Sequence, residues 1–330
     1  MPSTTPATWP ARCWRRRRAI FAGSTRSTAS AWWWPWPVPW GVLRFLSGLS
    51  SVAGLLLASG LVLNWLLQHG RRPDLGLHFT GMGLGIVLSG AAVVLTLPAL
   101  TWSGQWIALG VLGLLFFVPA WLWMSAPAST PSTAVAQGAP PPATPAAWMR
   151  LLNAAYVCAG FGFVIGATFI VAILEKLPVL QGRGGWVWVV VGVAALPSTF
   201  VWDRITYRCG ANRALLLAYV LQGAGMLLPA VSSGTAINLL SAALFGATFV
   251  GIVSLTLALV GRHVPSNPSK AMARITLGYG VAQIIGPVIA GYMARATGSY
   301  QGALVATAAL MGCGALLLYA ADRQETRGHT

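Results

Sequence analysis

Nine separate apolar segments, each about as long as a membrane-spanning helix, constrain this chain more than any other feature of its sequence. Crossing the hydrocarbon core of a bilayer takes about 20 residues of helix. Because an isolated strand in lipid would leave backbone N–H and C=O groups unpaired, helix is the expected state. We predict spans at residues 40–67, 76–98, 104–125, 148–174, 185–203, 213–231, 235–261, 272–294 and 300–321.

The composition agrees with a membrane protein and argues against a soluble one. Hydrophobic residues make up 56% of the chain and charged residues 8%, whereas a soluble domain has about 25% charged residues. The net charge of +16 is spread between the apolar segments and over the amino terminus, not gathered on one soluble face as in a nucleic-acid-binding protein. We therefore predict an all-α membrane protein that contacts the lipid bilayer and binds no nucleic acid.

Motifs of enzymes and metalloproteins are not found. The sequence has no Gly-rich phosphate loop, no His/Cys/acid cluster at ligand spacing and no Gly-x-Ser-x-Gly motif. The four cysteines are scattered and form no Cys-x-x-Cys pair, so neither a disulfide framework nor a metal site is indicated. We predict no enzymatic activity, no metal and no cofactor, and keep a membrane enzyme as a further alternative.

An uncharged Pro-, Ala-, Ser- and Thr-rich stretch at residues 126–147 is typical of a flexible linker. It separates a partial amino-terminal bundle of three spans, residues 40–125, from a six-helix bundle, residues 148–322, and a tail, residues 323–330. Placing the linker in the cytoplasm puts eleven Lys and Arg residues on cytoplasmic segments and three outside. This positive-inside bias predicts a multi-pass protein of the bacterial cytoplasmic (inner) membrane with a cytoplasmic carboxyl terminus.

Residues 1–39 do not fit this topology. They hold six arginines, no acid, and tryptophans interleaved with prolines, which prevent a continuous helix. The apolar run after the arginines is too short for a signal peptide. We hypothesise that this segment is not native structure but the product of truncation or a shifted frame, since TGG (Trp) becomes GTG (Val) one frame over. A genuine divergent amino terminus or an organelle transit peptide is the alternative.

Two stretches repeat one order of features, which suggests two halves built on one plan. In the first, 33 positions separate Gly48 from Gly81, with a basic Gly-Arg-Arg between them. In the second, 32 positions separate Gly246 from Gly278, with a basic Gly-Arg-His between them. Carriers are commonly built in this way, with the substrate site near mid-membrane between the halves.

Four stretches carry a resemblance to a known family. They are Asn153–Phe169, Leu196–Arg213, the pair Leu221-Gln222 with Leu244–Gly251, and Gly280–Gly291, with a weaker likeness at Arg44–Gly48. The resembled family is the major facilitator superfamily, in its YbfB/YjiJ-type branch. In the order given, the four stretches resemble its seventh span, the loop between spans eight and nine, its ninth and tenth spans, and the Gly-Pro motif of its eleventh span. The weaker likeness is to the Arg motif of its fourth span. The resemblance implies a helical bundle equivalent to spans 4–12 of a twelve-span carrier, with spans one to three absent.

The resemblance also implies a function, namely movement of a small solute by alternating access, with secondary active transport and protons as the candidate coupling ion. The five acidic residues all lie away from mid-membrane, so no proton relay is identified. An inactive truncated carrier, or a membrane partner protein that transports nothing, is the alternative.

Polar residues inside the spans are candidates to line the pathway. These are Arg44, Asn153, Tyr156, Thr168, Thr248, Ser254, Tyr279 and Gln283. Each could instead hydrogen-bond a neighbouring helix. Gln283 is the preferred candidate, because it lies one turn from the Gly-Pro break in a span that lines the pathway in the resembled superfamily.

A second set of residues is predicted to serve gating or close packing. In the spans these are Gly48, Gly81, Gly83, Gly85, Gly280, Gly286, Pro287 and Gly291, and in the loop signature Asp203, Arg204, Arg208, Gly210 and Arg213. Pro287 allows a hinge. The superfamily's loop signature has an acid where this chain has Tyr207, so we expect Asp203, one turn earlier, to substitute for it in part.

Overall fold

Nine α-helices and no β-strand are found in the part of the chain that the computed structural model describes, residues 37–72, 74–123, 146–175, 177, 179–181, 184–264 and 267–328. The helices are α1 (Pro37–Gln68), α2 (Gly76–Thr96), α3 (Trp102–Trp123), α4 (Ala146–Leu174), α5 (Gly184–Cys209), α6 (Ala211–Val231), α7 (Thr235–His263), α8 (Pro268–Thr297) and α9 (Gln301–Gly328). All nine are long and apolar enough to cross a membrane. The predicted all-α fold with nine spans is thereby confirmed.

Two compact units divide the chain, Met1–Leu55 and Leu56–Thr330. The described part of the first is the beginning of α1, where the Arg44 guanidinium lies 4.8 Å from the centre of the Trp40 ring. The second holds the rest of α1 and all later helices. Residues 1–36 and 124–145, on which most of the predicted atypical segment and linker fall, lie outside the described residues. The predicted domain boundaries therefore stay predictions.

The ends of α8 are set by local capping chemistry. The Asn267 side chain accepts a hydrogen bond from the backbone N–H of Lys270 at 3.1 Å, and Pro268 occupies the first turn. Asn is a favoured N-cap, and Pro fits the first turn because no intrahelical N–H is needed there. Gly298 ends the helix in the left-handed region, with φ of 68°, a conformation that glycine adopts without strain.

Helix α5 continues to Cys209, six residues beyond the predicted end of that span. The prediction stopped where the apolar run stops, but a helix needs only satisfied backbone bonds to extend past the hydrocarbon. Arg204 and Arg208 therefore lie on the last turns of α5 and not in a loop. Gly210 makes the turn into α6 with φ of 89°.

Helix packing follows the order α8, α4, α9, α6, α7, α5, α2, each helix having extensive contact with the next. Glycines permit the closest approaches. A Cβ on Gly83 of α2 would lie 2.7 Å from Cα of Leu196 in α5, and one on Gly246 of α7 would overlap the carbonyl oxygen of Val191 in α5. Helix α5 is thus held backbone-to-backbone between α2 and α7.

Candidate functional site

A polar network lies at one end of the bundle, where α2 begins and α5 and α7 end. The Asp203 carboxylate on α5 lies against the backbone of Gly76, where a Cβ at residue 76 would overlap one of its oxygens. The first N–H groups of a helix have no intrahelical partner and carry the positive end of the helix dipole. A carboxylate in this position therefore attaches α5 to the start of α2.

Two basic residues extend this network. Nη2 of Arg262, at the end of α7, lies 3.0 Å from Oδ1 of Asp74, just before α2. The Arg72 guanidinium lies 4.5 Å from the centre of the Tyr207 ring. We call Asp74, Gly76, Asp203 and Arg262 the end cluster. It joins α2 and the segment before it to α5 and α7 through polar contacts that can break and re-form.

A cavity of about 550 Å³ opens beside the end cluster. Its lining includes Arg213, Arg262 and Asp322, and the Asn212 side chain donates a hydrogen bond to Asp322 at 2.8 Å. Next to it, the His263 ring stacks on Trp148 with ring centres 4.2 Å apart. This polar lining is typical of a membrane surface, with the aromatic pair at the boundary with the apolar spans.

Small residues line the interface between α2 and α5 where it runs from the end cluster into the bundle. One hydrogen bond crosses it, between the hydroxyl oxygens of Thr80 and Thr199 at 3.0 Å. Gly83 contacts the backbone of Leu196, and Gly192 contacts that of Val87. Such a smooth surface presents few interlocking side chains to resist a change in helix angle.

Two buried tyrosines stack on each other inside the bundle, one on α4 and one on α8. The ring centres of Tyr156 and Tyr279 are 4.5 Å apart, with 26° between the planes, and the residues are 1% and 7% exposed. Phe163 of α4 continues the row, 6.1 Å from Tyr279. Phe249 of α7 lies 5.3 Å from Phe163. The row joins three helices near the middle of their lengths.

Unpaired hydrogen-bonding atoms accompany these rings. Oδ1 of Asn153 and Oγ1 of Thr276 are buried and have no hydrogen-bond partner in the structure. Asn153 precedes Tyr156 by one turn of α4, and Thr276 precedes Tyr279 by one turn of α8. Gln283 follows Tyr279 by one turn and is half-buried. We call Asn153, Tyr156, Phe163, Tyr279 and Gln283 the tyrosine cluster.

The structure brings together some predicted pathway residues and not others. Asn153, Tyr156, Tyr279 and Gln283 meet in the tyrosine cluster. Thr248 and Ser254 are buried in α7, where their hydroxyls donate within the helix, to Leu244 at 2.7 Å and Gly251 at 3.1 Å. Thr168 is exposed, and Arg44 is exposed in the other unit.

The predicted gating residues also divide into two groups. Gly83 and Gly286 contact neighbouring helices, the latter against Val164. Open space surrounds the Cβ position of Gly48, Gly81, Gly85, Gly280 and Gly291. Pro287 lies inside α8. Of the loop signature, Asp203 contacts α2, whereas Arg204, Arg208, Gly210 and Arg213 are exposed.

Several residues of these clusters were not among the predicted site residues. Phe163, Gly76, Asp74 and Arg262 were missed because nothing in a single sequence distinguishes them from ordinary span or loop residues. One available signal was the scarcity of acidic residues, of which the chain has five. An acid close to the basic end of a helix is a candidate for an ion pair with that basic residue. Among the described residues, no group of three or more His, Cys, Asp or Glu could hold a metal ion.

In the described part of the chain, nine membrane-length helices, a polar network at one end and a buried aromatic and polar cluster define a multi-pass membrane protein. Residues 6–318 match the family described as Uncharacterised MFS-type transporter YbfB. The chain therefore belongs to this family of major-facilitator-type membrane transporters, which is not an enzyme family, and the predicted resemblance is confirmed. A comparison with the curated proteins finds no match.

Proposed function

We propose that the protein moves a small solute across the membrane by alternating access, with the end cluster as a gate and the tyrosine cluster as the solute-contact region. One observation carries this proposal. The interface of α2 with α5 is smooth along the helices, and at the end it is fastened by the contact of Asp203 with the start of α2. An interface of this kind suits two bodies that rock about a central site.

The transport test uses the purified full chain in liposomes loaded with a mixture of small neutral and zwitterionic solutes from a cell extract. Mass spectrometry follows the loss of each solute over time. We expect at least one solute to leave faster than it leaves protein-free liposomes loaded with the same mixture. The Gly83→Leu variant, which wedges α2 away from α5, should slow that loss, whereas Gly81→Leu on the open face of α2 should not.

Two outcomes would count against transport. If no solute leaves faster than from protein-free liposomes, the protein is instead an inactive carrier or a partner protein that transports nothing. If Gly83→Leu and Gly81→Leu transport alike, the interface between α2 and α5 does not move during the cycle.

The proposal includes protons as the coupling ion. Among the described residues, Asp203 is the carboxylate nearest the interface between α2 and α5, and it is the candidate proton-binding group. A pH gradient across the liposome is expected to change the solute flux, and a pH-sensitive dye inside should report solute-dependent proton movement. Flux that is indifferent to the gradient would make the protein a facilitator.

The proposed location is the bacterial inner membrane, with the carboxyl terminus and the 126–147 segment in the cytoplasm. A cysteine at Ser132, in a variant whose four native cysteines are replaced, should react with an impermeant maleimide in inside-out vesicles and not in intact cells. Labelling in intact cells would reverse the orientation. Ser132 itself lies outside the described residues.

A further inference from the structure

The tyrosine cluster has a chemical character that indicates what it would bind. A flat apolar surface is supplied by Tyr156, Tyr279 and Phe163, and an unpaired acceptor is supplied by Oδ1 of Asn153. A Cβ built on Gly278, next to Tyr279, would lie 3.1 Å from that oxygen. The acceptor therefore lies against the backbone that carries one of the two stacked rings.

A buried acceptor without a partner destabilises a folded protein, so it calls for an explanation. Water or a ligand can supply the missing donor. The Thr276 hydroxyl, one turn from Tyr279 on the same helix, also has no partner. Two unpaired polar atoms on the two helices that carry the stacked tyrosines point to a ligand with at least one hydrogen-bond donor.

Charge narrows the class of ligand further. Helix α4 has no charged residue between Arg150 and its end at Leu174, and α8 has none between Arg274 and Arg295. A charged solute between these helices would lose its hydration without meeting an opposite charge. A neutral solute avoids that cost.

We propose that the tyrosine cluster binds a neutral, planar aromatic or heteroaromatic solute that donates a hydrogen bond to Asn153 and stacks with Tyr156 and Tyr279. This inference rests on the proposed transport function and specifies its substrate class. Stacking places a ring at about 3.5 Å from each neighbour, so a solute between two rings needs about 7 Å. The present separation is 4.5 Å.

Helix α8 supplies the flexibility for that opening. Pro287 lacks the N–H that would bond the carbonyl of Gln283, one turn earlier, so the helix bends more easily there. Gly280 has open space at its Cβ position. Because Tyr279 precedes Pro287, a bend at this point would turn the part of α8 that carries Tyr279 while the part after Pro287 stays in place, and this would move Tyr279 relative to Tyr156.

The test measures binding of four small probes to the full chain in lipid nanodiscs by ligand-observed NMR titration, with empty nanodiscs as background. Nicotinamide is planar, neutral and a donor. N,N-dimethylnicotinamide lacks the donor, cyclohexanecarboxamide lacks the flat ring, and nicotinate carries a charge. We expect nicotinamide to bind at least about tenfold more tightly than cyclohexanecarboxamide, because a single stacking contact contributes about one such factor.

The remaining two probes and the variants locate the site. Loss of one neutral hydrogen bond should weaken N,N-dimethylnicotinamide about fivefold, and Asn153→Ala should abolish that difference. Tyr279→Leu should weaken nicotinamide about tenfold, whereas Tyr279→Phe keeps the ring and the affinity. Tyr292→Leu is the matched control, since Tyr292 lies on the same helix and is 72% exposed.

Three results would overturn the assignment: cyclohexanecarboxamide binding as tightly as nicotinamide, nicotinate binding more tightly, or Tyr279→Leu and Tyr292→Leu behaving alike. The outcome is separable from that of the transport assay. Nicotinamide binding in the expected order without any solute flux would sink the transport proposal and leave the site standing. Flux of solutes that are neither flat nor hydrogen-bond donors would support the transport proposal and contradict the assigned substrate class.

Discussion

Helices α3 and α7 are both apolar and both long enough to cross a membrane, but they have opposite surroundings. In α7, 83% of an apolar 18-residue stretch is buried inside the protein, whereas in α3 none of the corresponding stretch is buried (0%). Apolar character qualifies both helices for the membrane and does not distinguish a lipid-facing helix from a core helix, because lipid and protein interior accept the same side chains.

The difference lies in the small and polar residues. Helix α7 has Gly246 against the backbone of Val191 and Gly251 against the Trp202 ring, whose Nε1 donates to the carbonyl of Ala247 at 2.7 Å. In α3, Gly110 and Gly113 have open space at their Cβ positions. A glycine thus matters for packing only where a neighbouring backbone has moved in to use the space.

The largest effect is expected where α7 meets α5. Gly246→Ala places a methyl group on the Val191 carbonyl oxygen, and a backbone carbonyl cannot move away as a flexible side chain can. We expect a loss of about 3 kcal/mol in the free energy of unfolding, measured as a lower melting temperature by size-exclusion chromatography after heating. Gly113→Ala on α3 is the control and should melt like the native protein. Equal melting of both variants would contradict the packing described for α7.

The end cluster comes second in expected effect. Asp203→Asn keeps the shape but removes the charge that faces the start of α2 and Arg262. Burial and the neighbouring Asp74 carboxylate oppose this charge, whereas the start of α2 and Arg262 favour it. The net loss in the free energy of unfolding should therefore stay within about 1 kcal/mol, measured by unfolding in graded detergent mixtures. Asp74→Asn should cost less, because Asp74 is partly exposed. If Asp74→Asn cost more, Arg262 and not the helix terminus would be the main partner of the acids at this end.

Sequence alone predicted the spans and the transporter family but not which helices touch. Gly81, Gly83 and Gly85 look alike in the sequence, yet Gly83 alone meets α5. Successive residues of a helix are rotated by about 100°, so only a known neighbour tells which of the three faces it. Partners such as α2 and α5 are distant along the chain, and a single sequence carries no signal of their contact.

The candidate site was predictable to a similar extent. Four of the eight proposed pathway residues meet in one cluster, because polar residues one turn apart share a helix face. The aromatic partner Phe163 was missed, since aromatic residues are ordinary in membrane spans. At the loop signature, the resembled superfamily has an acid where this chain has Tyr207, and only the structure shows that Asp203 on α5 lies against Gly76 at the start of α2.

A smaller effect is expected for the ion pair of Arg262 with Asp74. Its side chains are 33% and 40% exposed, and partly exposed pairs contribute at most about 1 kcal/mol. A double-mutant cycle of Arg262→Ala and Asp74→Ala, measured by unfolding in graded detergent mixtures, should give a coupling energy below that value. The coupling should fall further in high salt, because screening shortens the reach of exposed charges. A coupling of several kcal/mol would mean that this pair, and not Asp203, fastens the end cluster.

The smallest effect is expected on α3, and it tests whether the contrast with α7 holds in the membrane. Leu114 and Leu115 are 62% and 66% exposed, and a lipid-facing leucine has apolar surroundings whether the helix is packed or separate. Replacing both with alanine should therefore change the free energy of unfolding by no more than about 0.5 kcal/mol. Leu257→Ala on α7, where the side chain is fully buried, should cost about 2–3 kcal/mol in the same melting assay. A similar cost for the α3 leucines would mean that protein and not lipid covers that helix, and α3 would then belong to the packed core.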